Sequence, residues 1–531
     1  MKKSGLKIIA LAVALLVLLA ALAGCGPAAS ENPAGATGGT TAPAGTESTA
    51  AATEKAKLDP VKLRFFFMND KKAATDEVWT AVAEKFKDQL NATFEVNFIP
   101  SGDYISKLMV MSSSGDNWDA NYDGAWMAYN QIVQKGGYLP VNDLLPQYAP
   151  TLNSTLQAAG TLKAVTVDGK IMAVPWTMKG NEHPFLVWRS DLLQKGGLEY
   201  EQNSIKTYDE YLAFLNAVHK ALPDMKMVIP DNNSFPGGNF NIELLKDEYF
   251  NLNFHGLVFS MNDAQCNVVG IETLPLFKEA LQLRKKQYDA GLIAKDAMVD
   301  KTEASQYWKN GMIPYTVTSH EWAFADASFS DPNATLEYSQ LYPDKKYYNR
   351  SPTGNLMAIS KNAANPERTM MFFEFMETSQ ELYDMVMYGI KNRTYVLNGN
   401  NADFPAGMTG ATSNYMEWGG QWALWKPQFM RPTTQYSEGF WKREGEFAST
   451  PNHIPSPIDG LSFNADSIKN ELAQRDQILA ELGKPLAAGI ATGGNTDKAI
   501  DDMIAKLKSA GYDKIVAELN KQVQAYLAAQ K

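Results

Sequence analysis

Val61-Lys62-Leu63-Arg64-Phe65-Phe66-Phe67 is followed by apolar residues at Trp79, Val82, Ala83, Phe86 and Leu90, then by Phe94, Val96 and Phe98 alternating with Glu95 and Asn97. The first stretch, dense in aromatic and branched side chains, predicts a strand. The second set falls at i, i+3, i+4, i+7 and i+11, one face of a helix. Thr75 is expected to cap that helix, with Asp76 and Glu77 in its first turn. The third set has period two, a strand with one buried face. Strand, helix and strand in succession predict a parallel sheet and an α/β body.

Downstream, Val165 to Pro175 reads as a hairpin turning at Asp168-Gly169. Leu186-Val187-Trp188, Ile313 to Thr318 and Asn355 to Ile359 read as short strands, and Asp209 to Leu222 as a helix. Asn365-Pro366 opens another helix, a cap followed by a proline at its first position. The tail reads as a helical pair: Ile500, Met503, Ile504 and Leu507 mark one face, Gly511 breaks it, and Val516, Leu519, Val523 and Leu527 mark the next. About 470 residues follow the first 57, too many for one simple core, so two lobes are expected.

Upstream, Lys2, Lys3 and Lys7 precede an apolar run from Ile8 to Ala23 that ends in Leu22-Ala23-Gly24-Cys25. A basic start, a short apolar core and small residues at its end describe a secretory signal over 1–24. The run is shorter than the ~20 residues of a membrane span. Residues 26–57 hold no large apolar side chain, so 25–57 is expected to be a disordered tether. Cys266 is the only other cysteine, so stability is expected to come from the core rather than from disulfides. Formal net charge is −10, and removing the three leader lysines takes it to −13. That balance argues against nucleic acid and against broad docking on anionic lipid.

Motifs for catalysis are missing. His320-Glu321 begins a zinc-protease pattern, but Phe324 stands where its second histidine belongs. The five histidines show no paired helical spacing, no Gly-x-Ser-x-Gly elbow occurs, and Asp168-Gly169-Lys170 follows Ala164 where a phosphate loop needs glycine. No cofactor or metal is expected. A glycosidase built on two carboxylates leaves no spacing signature and stays open as an alternative.

Several segments set aromatic platforms beside hydrogen-bonding groups, the combination that suits a ligand with apolar C–H faces and hydroxyl rims. Asn69 and Asp70 lie just past the first strand, where ligands of open α/β sheets sit, although turn chemistry alone also accounts for them. Asp123 and Trp126 belong to a glycine-containing loop. Trp176 and Glu182 follow the Asp-Gly-Lys hairpin, and Glu321 and Trp322 follow a strand. Trp418, Trp422 and Trp425 fall at helical spacing and read equally as a core stripe or a site. Arg393 and Tyr395 form a further, lesser pair.

Taken together, these segments resemble family 1 extracellular solute-binding proteins of ATP-binding-cassette importers. Leu22-Ala23-Gly24-Cys25 resembles the lipobox of Gram-positive lipoproteins. Asp168 to Pro175 is similar to the family's Asp-Gly-Lys-x-Tyr/Met-Ala-x-Pro segment, and Asn310-Gly311-Met312 through Trp322 to its Gly-x-x-Ala-Met…Gly-x-Trp strand and loop, with Pro314 and Ser319-His320-Glu321 departing from the pattern. Asn365-Pro366-Glu367-Arg368 resembles its Asn-Pro-Glu-x-Ala helix, with Thr369 in place of alanine.

The resemblance implies an α/β, two-lobed, periplasmic-binding-protein-like clamp of the class II type, with hinge crossings between lobes. It implies lobe one from 58–176 plus about 351–415 and lobe two from 177–350 plus about 416–531. It further implies a monomer lipidated on Cys25 at the outer face of the cell membrane, with an oligosaccharide as ligand and the importer's membrane subunits as partner. Asn69, Asp70, Asp123 and Trp126 would contribute from lobe one, Glu182, Glu321 and Trp322 from lobe two, Trp176 near the hinge, with Trp418 and Trp422 completing the set. A peptide or polyamine as ligand, or a sensor partner in place of an importer, stay open beside it.

Overall fold

A computed structural model describes residues 58–177, 183–228, 240–252, 254–300, 302, 304–318, 331, 334–349, 351–410, 412–433, 440–491 and 493–530. Cys25, Glu182, Glu321 and Trp322, and the leader and tether, lie outside the described residues. The chain from Leu58 onward forms one compact unit.

Among the described residues, eight strands build the two sheets that organise the molecule: β1 (Val61–Met68), β2 (Ala92–Ile99), β3 (Ala120–Asp123), β4 (Val174–Pro175), β5 (Phe185–Arg189), β6 (Tyr315–Thr318), β7 (Leu336–Gln340) and β8 (Leu356–Ile359). The first sheet runs β2-β1-β3-β8-β4. β1 is parallel to β2 and β3, with Phe65 opposite both Val96 and Ala120. β8 is antiparallel to β3 and β4, with Leu356 opposite Asp123 and Pro175. The second sheet, β6-β5-β7, is antiparallel, and Thr318 and Gln340 both pair with Phe185.

Each sheet has its own core. The first gathers Phe65, Phe67, Trp79, Leu356 and Phe372, and extends to Tyr415, Trp418, Ala423 and Leu424. The second gathers Phe185, Trp188, Phe214, Tyr315, Ile468 and Leu519, and a third cluster joins Phe277 to Leu479, Ile500 and Met503. The chain leaves the first core after Val174, enters the second at Phe185, returns between Tyr348 and Leu356, and crosses again between Met430 and Phe447. The molecule is therefore a two-lobed α/β protein.

Most elements stand where the sequence puts them. The hairpin pairs Thr166-Val167 with Lys170-Ile171, its turn residues Asp168 and Gly169 both at positive φ. Thr207 and Glu210 form a capping box at the start of helix Tyr208–Ala221. One cap differs from expectation. Helix Thr75–Lys85 takes Thr75 inside, with Ala74 at the cap. Asn365 holds the cap position of Pro366–Thr378 with proline next, as expected, but its side chain makes no capping bond; its backbone N–H donates to Asp119 Oδ1 (2.9 Å) and its side-chain amide to the Lys62 carbonyl (3.2 Å). Buried ion pairs fasten the parts: Arg475 to Glu272 in the second lobe, and Lys426 to Glu377 between the 415–430 segment and the first lobe.

Candidate functional site

One edge of the first sheet collects most of the expected residues. β1 and β3 end there, at Met68 and Asp123, and register puts the start of β8 and the end of β4 beside them. Asn69, Trp126, Asn355 and Trp176 consequently leave the sheet on the same side, the carboxyl-end edge where open α/β sheets hold ligands. Asn69 sits at positive φ, half-buried, and accepts a hydrogen bond from Ser101 at the start of the helix after β2; Asp70 is exposed.

Trp126 stands out. Its indole is 59% exposed, although its N–H is held by the Gly354 carbonyl at 2.8 Å. A large aromatic fixed at its polar end with its apolar face in water is a ready platform. Behind it, Tyr122 donates to Asn355 Oδ1 (2.6 Å), and its ring meets half-buried Trp422 edge to face at 5.8 Å. Trp176 stacks on Trp425 at 5.7 Å and donates to the Trp422 carbonyl. The 415–430 segment thus folds over this edge of the first sheet. Gly419 approaches so closely that a Cβ there would lie 2.3 Å from the Met68 carbonyl oxygen.

Three expected contact residues lie inside. Asp123 is fully buried, and its carboxylate accepts from Tyr138 Oη (2.5 Å), Gly124 N (2.8 Å) and Ala128 N (3.1 Å). Burial outweighs these bonds and pushes its pKa up to about 7. Asp123 shapes the loop that presents Trp126 and offers no free oxygen to solvent. Trp418 is 1% exposed, its ring against Phe67 at 4.8 Å and its N–H on the Val386 carbonyl (3.1 Å). Trp176 is 2% exposed. The 418–425 tryptophans do not form an α-helical stripe: only Gln421–Leu424 is helical, one 3₁₀ turn, so each ring points its own way.

Elsewhere, Arg393 pairs with Glu77 on a helix of the first lobe and Tyr395 is buried, which accounts for both. His183 is buried against Tyr347 and His453, and burial holds both imidazoles down to about 4. Ser101 and Asn355 escaped the sequence reading; for Asn355, only register reveals that β8 starts at this edge. Among the described residues no cluster of His, Cys, Asp and Glu could hold a metal, and no helix is long and apolar enough to cross a membrane.

A two-lobed α/β body with an aromatic and amide-lined sheet edge defines the class of clamp proteins that hold a small polar solute. The model of the bacterial extracellular solute-binding protein family matches residues 81–393, and the chain belongs to that family. A second model, described as a domain of unknown function, matches 457–528. A carbohydrate ABC transporter substrate-binding protein of Streptococcus pneumoniae serotype 4 is 25% identical over 89% of this chain and 92% of its own. The N-glycan transport solute-binding protein NgtS of S. pneumoniae superposes with TM-score 0.74 at 22% identity, over 89% of this chain and all of that one. Its complex with Man5GlcNAc, at the same identity and coverage, superposes with 0.62.

Proposed function

We propose that the chain is an extracellular binding protein, anchored by lipid on Cys25, that closes on an oligosaccharide and delivers it unaltered to an ATP-binding-cassette importer. The observation that carries this reading is Trp126: an exposed indole, fixed through its N–H, at the edge where Asn69, Asp70 and Asn355 supply hydrogen-bonding groups. A sugar ring stacks its C–H face on such a platform while amides and carboxylates take its hydroxyls.

On this reading the contact set is Asn69, Asp70, Trp126 and Trp422 from the first lobe, supported from behind by Asp123, Trp176 and Trp418. Glu182, Glu321 and Trp322 act from the second lobe. For Glu321 and Trp322 the support is that β6 ends at Thr318 opposite Phe185, where the first crossing arrives. The first lobe takes in 58–176 and 351–430, because Trp418 to Leu424 share its core; the second takes in 185–348 and 447–528. Relatives described as carrying carbohydrate support the ligand class.

A thermal-shift screen of residues 58–531 against oligosaccharides, peptides and polyamines tests the proposal. An oligosaccharide at about 100 times its dissociation constant stabilises by roughly 2.7 kcal/mol and raises the melting point. Shifts confined to peptides or polyamines would replace the sugar with that ligand class.

A further inference from the structure

The segment 457–528 meets the first lobe at a turn. Ile458 is in the second core, and helix Tyr512–Ala529 fastens the turn to that lobe: Tyr526 Oη donates to the Asp459 carbonyl, and Gln522 bonds Asn464 twice (2.8 Å each). From there the turn reaches across. The Asp459 carboxylate accepts from Ser351 Oγ, Gly460 at φ +86° would place a Cβ 2.7 Å from the backbone of Ala164, and Gln134 Nε2 donates to Ser462 Oγ (3.4 Å).

Ser351 begins a short 3₁₀ turn, Pro352–Gly354, that is itself a junction. The Pro352 carbonyl accepts from Trp176 N (3.3 Å) in the first crossing. The Thr353 carbonyl accepts from Ala125 N (2.8 Å), and the Gly354 carbonyl holds the Trp126 indole. The short run from Ser351 to Gly354 thus connects the exposed platform to the tail of the other lobe.

We propose that the Asp459–Gly460 turn is an interlobe clasp, through which segment 457–528 favours the described lobe arrangement and senses the state of Trp126. The coupling to ligand rests on the clamp reading above; the clasp itself does not. Its hydrogen bond ties the second crossing to the second lobe, and its contacts with Ala164 and Gln134 reach the first lobe, so these must part or re-form when the lobes rotate. The bond is charge-assisted.

The test is single-molecule energy transfer across the lobes of ligand-free chain 58–531, with dyes at Lys107→Cys and Lys498→Cys, two exposed positions. Asp459→Ala should shift the ratio of the two interlobe states by about tenfold away from the parent's dominant one, the scale of one charge-assisted hydrogen bond. Gly460→Ala should shift it the same way, and Asp459→Asn, which keeps a neutral acceptor for Ser351, should shift it by only about threefold. Circular dichroism and melting establish that each variant is folded. Combining Trp126→Ala with Asp459→Ala should give a shift that differs from the sum of the two. Unchanged distances in folded Asp459→Ala and Gly460→Ala overturn the clasp, and strict additivity overturns its link to Trp126. No ligand is needed, so failure here leaves the oligosaccharide proposal standing, and failure of the sugar screen leaves the clasp standing.

Discussion

Trp126 and Asp123 are three residues apart and do opposite things. The indole faces water; the carboxylate is sealed beneath it and holds its loop. Trp126→Ala should weaken oligosaccharide binding by about 1.5–3 kcal/mol, on the order of ten- to hundredfold, measured by titration calorimetry. The melting point of the free protein should hardly move, because an exposed side chain supports little of the fold. Asp123 predicts a pH dependence. The unfolded chain releases this proton in the ordinary carboxylate range, whereas the folded chain keeps it up to about 7. Its stabilising effect is thus complete at low pH and is lost as pH rises to 7. His183 and His453, held down to about 4, act with the other sign: their contribution is present above the ordinary imidazole range and is lost as pH falls toward 4. Urea midpoints should show Asp123→Asn without its share of the decline from pH 4 to 7, and His453→Gln with a smaller decline from pH 6.5 to 4. Variants that parallel the parent at every pH would remove burial as the cause.

At the scale of elements, strands and helices were legible because their side chains repeat with the period of the element. The edge of β1, Asn69 and Asp70, was legible for the same reason: a strand that ends in polar residues marks its own end. The contributions of β8 and of 415–430 were not. Asn355 reaches the edge only because β8 runs antiparallel to β3, a pairing no local pattern encodes. The Trp418, Trp422 and Trp425 spacing mimics a helix, yet Gly419 and Gly420 let the chain lie flat on Met68 and Tyr122 instead. Gly419→Ala should therefore displace this segment, costing about 1–3 kcal/mol in chemical denaturation and weakening ligand binding as Trp422 moves. In the second lobe, Arg475 reaches from helix Lys469–Ile478 to Glu272 with both side chains buried. Arg475→Ala strands that carboxylate and should cost about 3–5 kcal/mol, read as a lower melting point.

The whole molecule is two cores joined by three passages of chain, with a platform on one side and a tail segment that reaches back across. An acidic chain with exposed tryptophan suits a neutral polyhydroxyl guest better than an anion. Native mass spectrometry of residues 58–531 equilibrated with a mixed library of glycans, peptides and polyamines tests this most directly. The expected result is a complex heavier than the free chain by the mass of one intact oligosaccharide, with affinity lower by about ten- to hundredfold in Trp126→Ala. A complex with peptide or polyamine alone, or release of shortened glycan, would contradict it.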